Sequence, residues 1–142
     1  MAIDRMDWHA ETVEEFGLPY EHAGTHIGIF LAWIIHHDLH GELHREESAS
    51  AIVKVQQRQI TGRMFLSMEC DEKFWDEDLN EGGLAFTQFY YAGEDYLYYK
   101  VYEDVLAKAL PSIYHVEDTW ENYDLIAPHL TEAFRRWKET SV

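Results

Sequence analysis

Histidine is the residue type best placed to carry chemistry in this chain, and its spacing repeats. His22 and His26 are four apart, as are His36 and His40, and His40 and His44. Residues four apart share one face of a helix, so each pair could present two imidazoles to one zinc ion. Against this, Gly41 is expected to end a helix before His44, the metalloprotease pattern HExxH is absent, and no CxxC pair exists to complete a site. Histidines near a helix end also satisfy its last carbonyls and its dipole. The expectation is therefore structural histidines, no metal, no cofactor and no catalytic residue. A metal-binding protein or small enzyme using the His22/His26 or His36/His40 pair is the alternative.

The second candidate is the acidic run CDEKFWDEDLNE, Cys70 to Glu81. Asp76, Asp78 and Asn80 alternate as a calcium loop requires, but the position reserved for glycine holds Glu81 and the closing glutamate position holds Thr87. What remains is a charged surface containing aromatics, a common composition for a protein interface. The expected contact residues are Asp71, Glu72, Trp75, Asp76, Glu77, Asp78 and Glu81, joined by a second acidic group, Glu117, Asp118 and Glu121. Cys70 lies among acids, which raise a thiol pKa and disfavour a nucleophile. No GxSxG, GxGxxG or Walker sequence is present. The tyrosines between Tyr90 and Tyr102 could stack bases, but the acids around them oppose nucleic acid.

Eleven basic against 27 acidic residues give a formal charge of −16. That balance repels phosphate backbones and anionic membrane surfaces and steers basic partners inward. A hydrophobic fraction of 46% and 142 residues suit one folded domain over 1–142. With a single cysteine there is no intrachain disulfide. The opening MAIDRMDWHAETVEEFG lacks the basic stretch and apolar core of a secretory signal, so a cytoplasmic protein is expected.

The element that must organise all of this is THIGIFLAWIIHHDLHG, Thr25 to Gly41. It is apolar on every side and too short to cross a bilayer, which predicts a buried central helix over Thr25–His40. Glu42 to Ser50 reads as a polar connection. Further helices are expected over Ala51–Gln59, from Thr61 onward, over Leu84–Tyr91, and from Glu94 to Pro111 with Tyr98, Tyr102, Val105 and Ala109 on one face. A last helix should start at an Asp118 cap and kink or break near Ala127, before Pro128. The fold class is mainly α, a single compact helical domain.

Four blocks, GTHIGIFLAWII, GELH, CDEKF…DEDLNEGGLAFTQFYY and LPSIYHVEDTWENYDLIAP, together resemble a family of small bacterial proteins known only as a domain of unknown function. Members of such families often look like immunity proteins of interbacterial toxin systems. The resemblance implies a cytoplasmic protein that binds a cognate toxin and blocks its active site, and it assigns no residue a role. Combined with the charge, it points to a toxin with a basic active-site cleft as the partner.

Overall fold

A computed structural model describes residues 1–140. In chain order it contains strand β1 (Ala2–Arg5) and helices α1 (Ala10–Glu15), α2 (Thr25–His36), α3 (Glu42–Glu47), α4 (Ala49–Gln56) and α5 (Gly62–Glu69), then strand β2 (Lys73–Trp75) and helices α6 (Glu81–Tyr90), α7 (Leu97–Tyr102) and α8 (Trp120–Thr140). The fold is mainly α, a compact helical domain around α2. Every residue of α2 from Thr25 to Ile35 is buried, and Trp33 and Ile34 have 0% exposure. Phe30 shows why the helix is enclosed. Its ring meets Trp33, Phe74, Phe86, Tyr91 and Tyr98 at centroid distances of 5.0–6.5 Å. From the other elements, α8 accepts the Trp33 indole N–H on Thr131 Oγ1 (3.1 Å), and α7 donates the Tyr98 hydroxyl to the His26 carbonyl (2.6 Å).

The contact between α2 and α5 depends on two glycines. A Cβ on Gly62 would overlap the Gly28 carbonyl oxygen, and one on Gly28 would overlap the Arg63 backbone. Backbone therefore lies on backbone, which only glycine permits. Thr61 caps α5 by accepting the Met64 N–H at 3.2 Å, as a helix start at Thr61 predicts.

α2 ends at His36, four residues before the expected His40. Asp38 adopts φ 55°, and the Leu39 N–H turns back to the Ile34 carbonyl (2.9 Å). Gly41 does not close the helix. It is extended at φ −83°, and a Cβ there would lie 2.6 Å from the Glu77 carbonyl oxygen. The supposed polar connection after it forms α3 and opens α4.

Two strands were not expected. β1 pairs antiparallel with β2, with Ala2 opposite Trp75 and Asp4 opposite Phe74, so Ile3 is an extra residue in β1. After α7 a π-helical turn, Glu103–Ala107, replaces the expected α-helix. It carries the buried positions from Tyr102 to Ala107 and leaves Ala109 exposed. Asp118 does not cap α8; Thr119 does, accepting the Asn122 N–H at 3.1 Å. α8 also runs through Pro128 without a break. Pro128 and Asp124 are both exposed, so the carbonyl that loses its donor lies on the solvent side.

Alanine normally stabilises a helix relative to glycine by up to about 1 kcal/mol. Gly62→Ala should instead destabilise by about 1–3 kcal/mol through overpacking. Gly82→Ala, at an exposed position in α6 where a Cβ would meet only ordinary van der Waals contacts, should be neutral or stabilising. Urea denaturation of the two variants checks this. Ile34→Ala should cost about 2–5 kcal/mol in the same assay.

Candidate functional site

Bulges in strands re-aim side chains, and the extra residue at Ile3 accompanies a charged side chain directed inward. Asp4 is 3% exposed. Its Oδ1 accepts the Arg5 N–H (2.8 Å) and lies 2.8 Å from His9 Nε2. Its Oδ2 accepts the Tyr91 and Tyr99 hydroxyls (2.6 and 2.9 Å) and lies 3.4 Å from His26 Nε2. The four elements involved are β1, the 3-10 turn Met6–His9, the first turn of α2, and the α6–α7 region. The network extends outward: His9 Nδ1 is 2.6 Å from the Tyr114 hydroxyl, and His22 Nδ1 donates to the Tyr114 carbonyl at 2.6 Å. An open groove of about 500 Å³, lined by Tyr99, Lys100, Glu103, Lys108, Ser112 and Ile113, adjoins the cluster through Tyr99.

The protonation states follow from the donors. Burial alone would push the Asp4 carboxyl up, but hydrogen bonds from His26 and His9 outweigh it and hold Asp4 far below the usual carboxylate range. Burial pushes His26 down, only partly offset by Asp4. At neutral pH the cluster is an ionised carboxylate facing a neutral His26 ring. Tyr99 and Tyr91 are pushed up, first by burial and then by the Asp4 charge, so they remain hydroxyl donors.

A second buried cluster joins α3, the end of α5 and the turn after β2. His44 Nε2 lies 2.7 Å from Asp78 Oδ1, and Cys70 Sγ lies 3.8 and 3.7 Å from those two atoms. Ser48 Oγ is 3.1 Å from His44 Nδ1, and Asp78 Oδ2 accepts the Trp75 N–H at 2.7 Å. Burial, and then Asp78, push the Cys70 thiol far up, so it is no nucleophile.

The histidine pairs read from spacing are split apart. His22 and His26 share no ligand position: His22 sits on a 3-10 turn and bonds to a carbonyl, while His26 faces Asp4. His36 and His40 lose their common face because α2 stops between them. His36 packs against Trp120 and Tyr123, and His40 forms an isolated bridge with Leu79.

The acidic residues also separate. Asp78 is 4% exposed and belongs to the second cluster, so it cannot meet a partner at the surface. Trp75 is half-buried in β2, and Asp76 holds the N-terminal ammonium at 2.9 Å. Asp118 is half-buried, accepting from the Thr61 hydroxyl (2.7 Å) and Arg63 Nε (3.1 Å). Glu77, Glu81, Glu117 and Glu121 are exposed. Asp71 and Glu72 are the consecutive left-handed residues after α5, with φ 53° and 63°. They lie beside a surface that sequence reading did not single out. Arg5 sits over the exposed Trp8 ring (5.9 Å), pairs with Asp7 (2.8 Å), and feels the Asp71 charge. The Tyr20 hydroxyl is raised by burial and then by Glu72 and Asp7.

The chain belongs to the family described as a domain of unknown function (DUF7832). The profile of that family matches residues 2–116. Both buried clusters, Trp8 and Tyr20 lie inside the match, and α8 lies outside it. No curated protein matches the chain, and no solved structure does. Among the described residues, no helix is long and apolar enough to cross a membrane.

The shifts of Asp4 and His26 set the sign of the pH response. Unfolded His26 takes up a proton near pH 6.5 and the folded ring resists it, so stability falls as pH drops through about 6.5. The contribution of ionised Asp4 is complete above its unfolded value of about 3.9 and declines as pH falls from there toward its much lower folded value. Asp4→Asn should cost about 3–5 kcal/mol at pH 7. It should also lose less stability than wild type between pH 4 and pH 2.5, measured by thermal melts across that range. Equal losses would show that Asp4 is not held ionised.

Proposed function

We propose that this protein is an acidic immunity protein that binds a basic bacterial toxin and covers its active-site cleft. The observation that carries the reading is the exposed pair Trp8 (58%) and Tyr20 (40%) set among Asp7, Asp71 and Glu72. Large aromatics within a charged rim are the composition of binding hot spots. Met64 and Met68, four apart on α5, are also exposed, and methionine adapts to a partner's contours. The other end of α5 carries a shallow depression of about 290 Å³ whose lining includes Glu21, Met64, Glu117 and Asp118. Asp71 and Glu72 follow one end of this helix, while Asp118 bonds Thr61 and Arg63 at the other. The two acidic groups are thus joined by a short run of α5. The toxin as partner comes from the resemblance to bacterial immunity proteins. The net charge of −16 supports the basic cleft, because it accelerates encounter with a positive surface.

The test begins with the protein encoded by the neighbouring gene. Co-expression and pull-down should recover a stable complex, and the bound toxin should be inactive. By surface plasmon resonance, Asp71→Lys combined with Glu72→Lys should slow association, most strongly at low salt. Trp8→Ala should speed dissociation at a cost of about 2 kcal/mol or more. A neighbour that is no toxin, or binding indifferent to both sets of substitutions in folded protein, would refute the proposal.

A further inference from the structure

We infer that Asp4, His9 and His26 form a binding site for a divalent transition-metal ion of the zinc class, held by one carboxylate oxygen and two imidazole Nε2 atoms. The three donor atoms lie within 4.8 Å of one another. Asp4 Oδ1 to His9 Nε2 is 2.8 Å, and Asp4 Oδ2 to His26 Nε2 is 3.4 Å. A tetrahedral ion with bonds of about 2.0–2.2 Å needs donor atoms about 3.3 Å apart. The Asp4 Oδ1–His9 Nε2 spacing, a hydrogen-bond distance, falls short of that value, so the His9 ring must move outward to admit the ion, and all three donors start within 4.8 Å of one another. Two imidazoles and one carboxylate are a donor set that zinc accepts, and three protein ligands leave a fourth position for water.

The surroundings are those a metal site requires. Ligands are oriented by partners on the atoms that do not ligate. The Tyr91 and Tyr99 hydroxyls on Asp4 Oδ2 and the Arg5 N–H on Oδ1 fix the plane of the carboxylate between the two histidines. His9 Nδ1 lies 2.6 Å from the Tyr114 hydroxyl. Metal binding requires both Nε2 atoms bare, so each ring must carry its proton on Nδ1, and on His9 the Tyr114 hydroxyl is placed to accept it. The His9 side chain is 14% exposed, which gives the ion a way in. Tyr99, whose hydroxyl lies 3.3 Å from His26 Nε2, also lines the adjoining groove.

His44, Cys70 and Asp78 also converge, and the experiment must separate the two places. The chelator-treated full chain is titrated with Co²⁺ and then with Zn²⁺, followed by absorption spectroscopy and calorimetry. The expected result is one Co²⁺ per chain, visible d–d absorption without a thiolate-to-cobalt charge-transfer band, displacement by Zn²⁺, and a higher melting temperature. His9→Ala should abolish the absorption. Tyr114→Phe keeps all three ligands and should weaken binding about 10–100-fold, as loss of an outer-shell partner does. Cys70→Ser should leave binding unchanged. The inference is overturned by the absence of stoichiometric Co²⁺ or Zn²⁺ binding, by binding that survives His9→Ala, or by a charge-transfer band lost in Cys70→Ser. No toxin enters the experiment, so its result is independent of the proposed partner.

Discussion

A helix apolar on every side must be enclosed on every side, and in a chain of this length that requirement decides where most other elements go. α2 leaves no face for water, so α5 presses against one flank, backbone to backbone at Gly28 and Gly62. α7 and α8 reach it with Tyr98 and Thr131. The aromatic side chains of α6, α7 and β2 close around Phe30. Burial of apolar surface drives this arrangement, and aromatic rings supply much of the area per residue.

Enclosing α2 also encloses the polar groups carried with it. His26 enters the interior in the first turn of the helix, and an ionised carboxylate accompanies it on β1. A buried charge is tolerated only when it is paired and fully hydrogen-bonded. Asp4 meets that condition with donors from its own strand, two histidines and two tyrosines. The network fastens the N-terminal strand to α2, α6 and α7, so the same contacts that make a chemically capable cluster also hold the fold together. The His44–Asp78–Cys70 cluster acts similarly on the other connection, tying α3 to the turn after β2.

The surface divides by the same logic. Acids that sit near strands or helix ends are drawn into pairs: Asp78 with His44, Asp118 with Arg63, Asp124 with Arg58. What remains free for a partner is decided by the fold and not by the density of charge along the chain. Trp8 and Tyr20 stand exposed near Asp71 and Glu72, although the four residues come from three separate stretches of sequence.

The helical class, the buried core of α2, the start of α5 at Thr61 and the helical state of Leu84–Tyr90 were legible in the residues. They follow from local quantities: apolar periodicity and a capping threonine. The end of α2 was not legible, because Asp38 adopts a left-handed conformation that its residue type permits but does not require. Nor were β1 and β2, of four and three residues, whose stability comes from a partner about 70 positions away. Asp4, His9, His26, Tyr99 and Tyr114 share no spacing that a helix or strand would bring to one face. Their meeting depends on long-range packing around α2. Residue type and local period determined the helical class and much of the core, while only the tertiary structure decided which carboxylates are buried, which histidines face one another and which aromatics stay in water. Those outcomes depend on the order in which distant elements cover one helix, and local sequence does not encode that order.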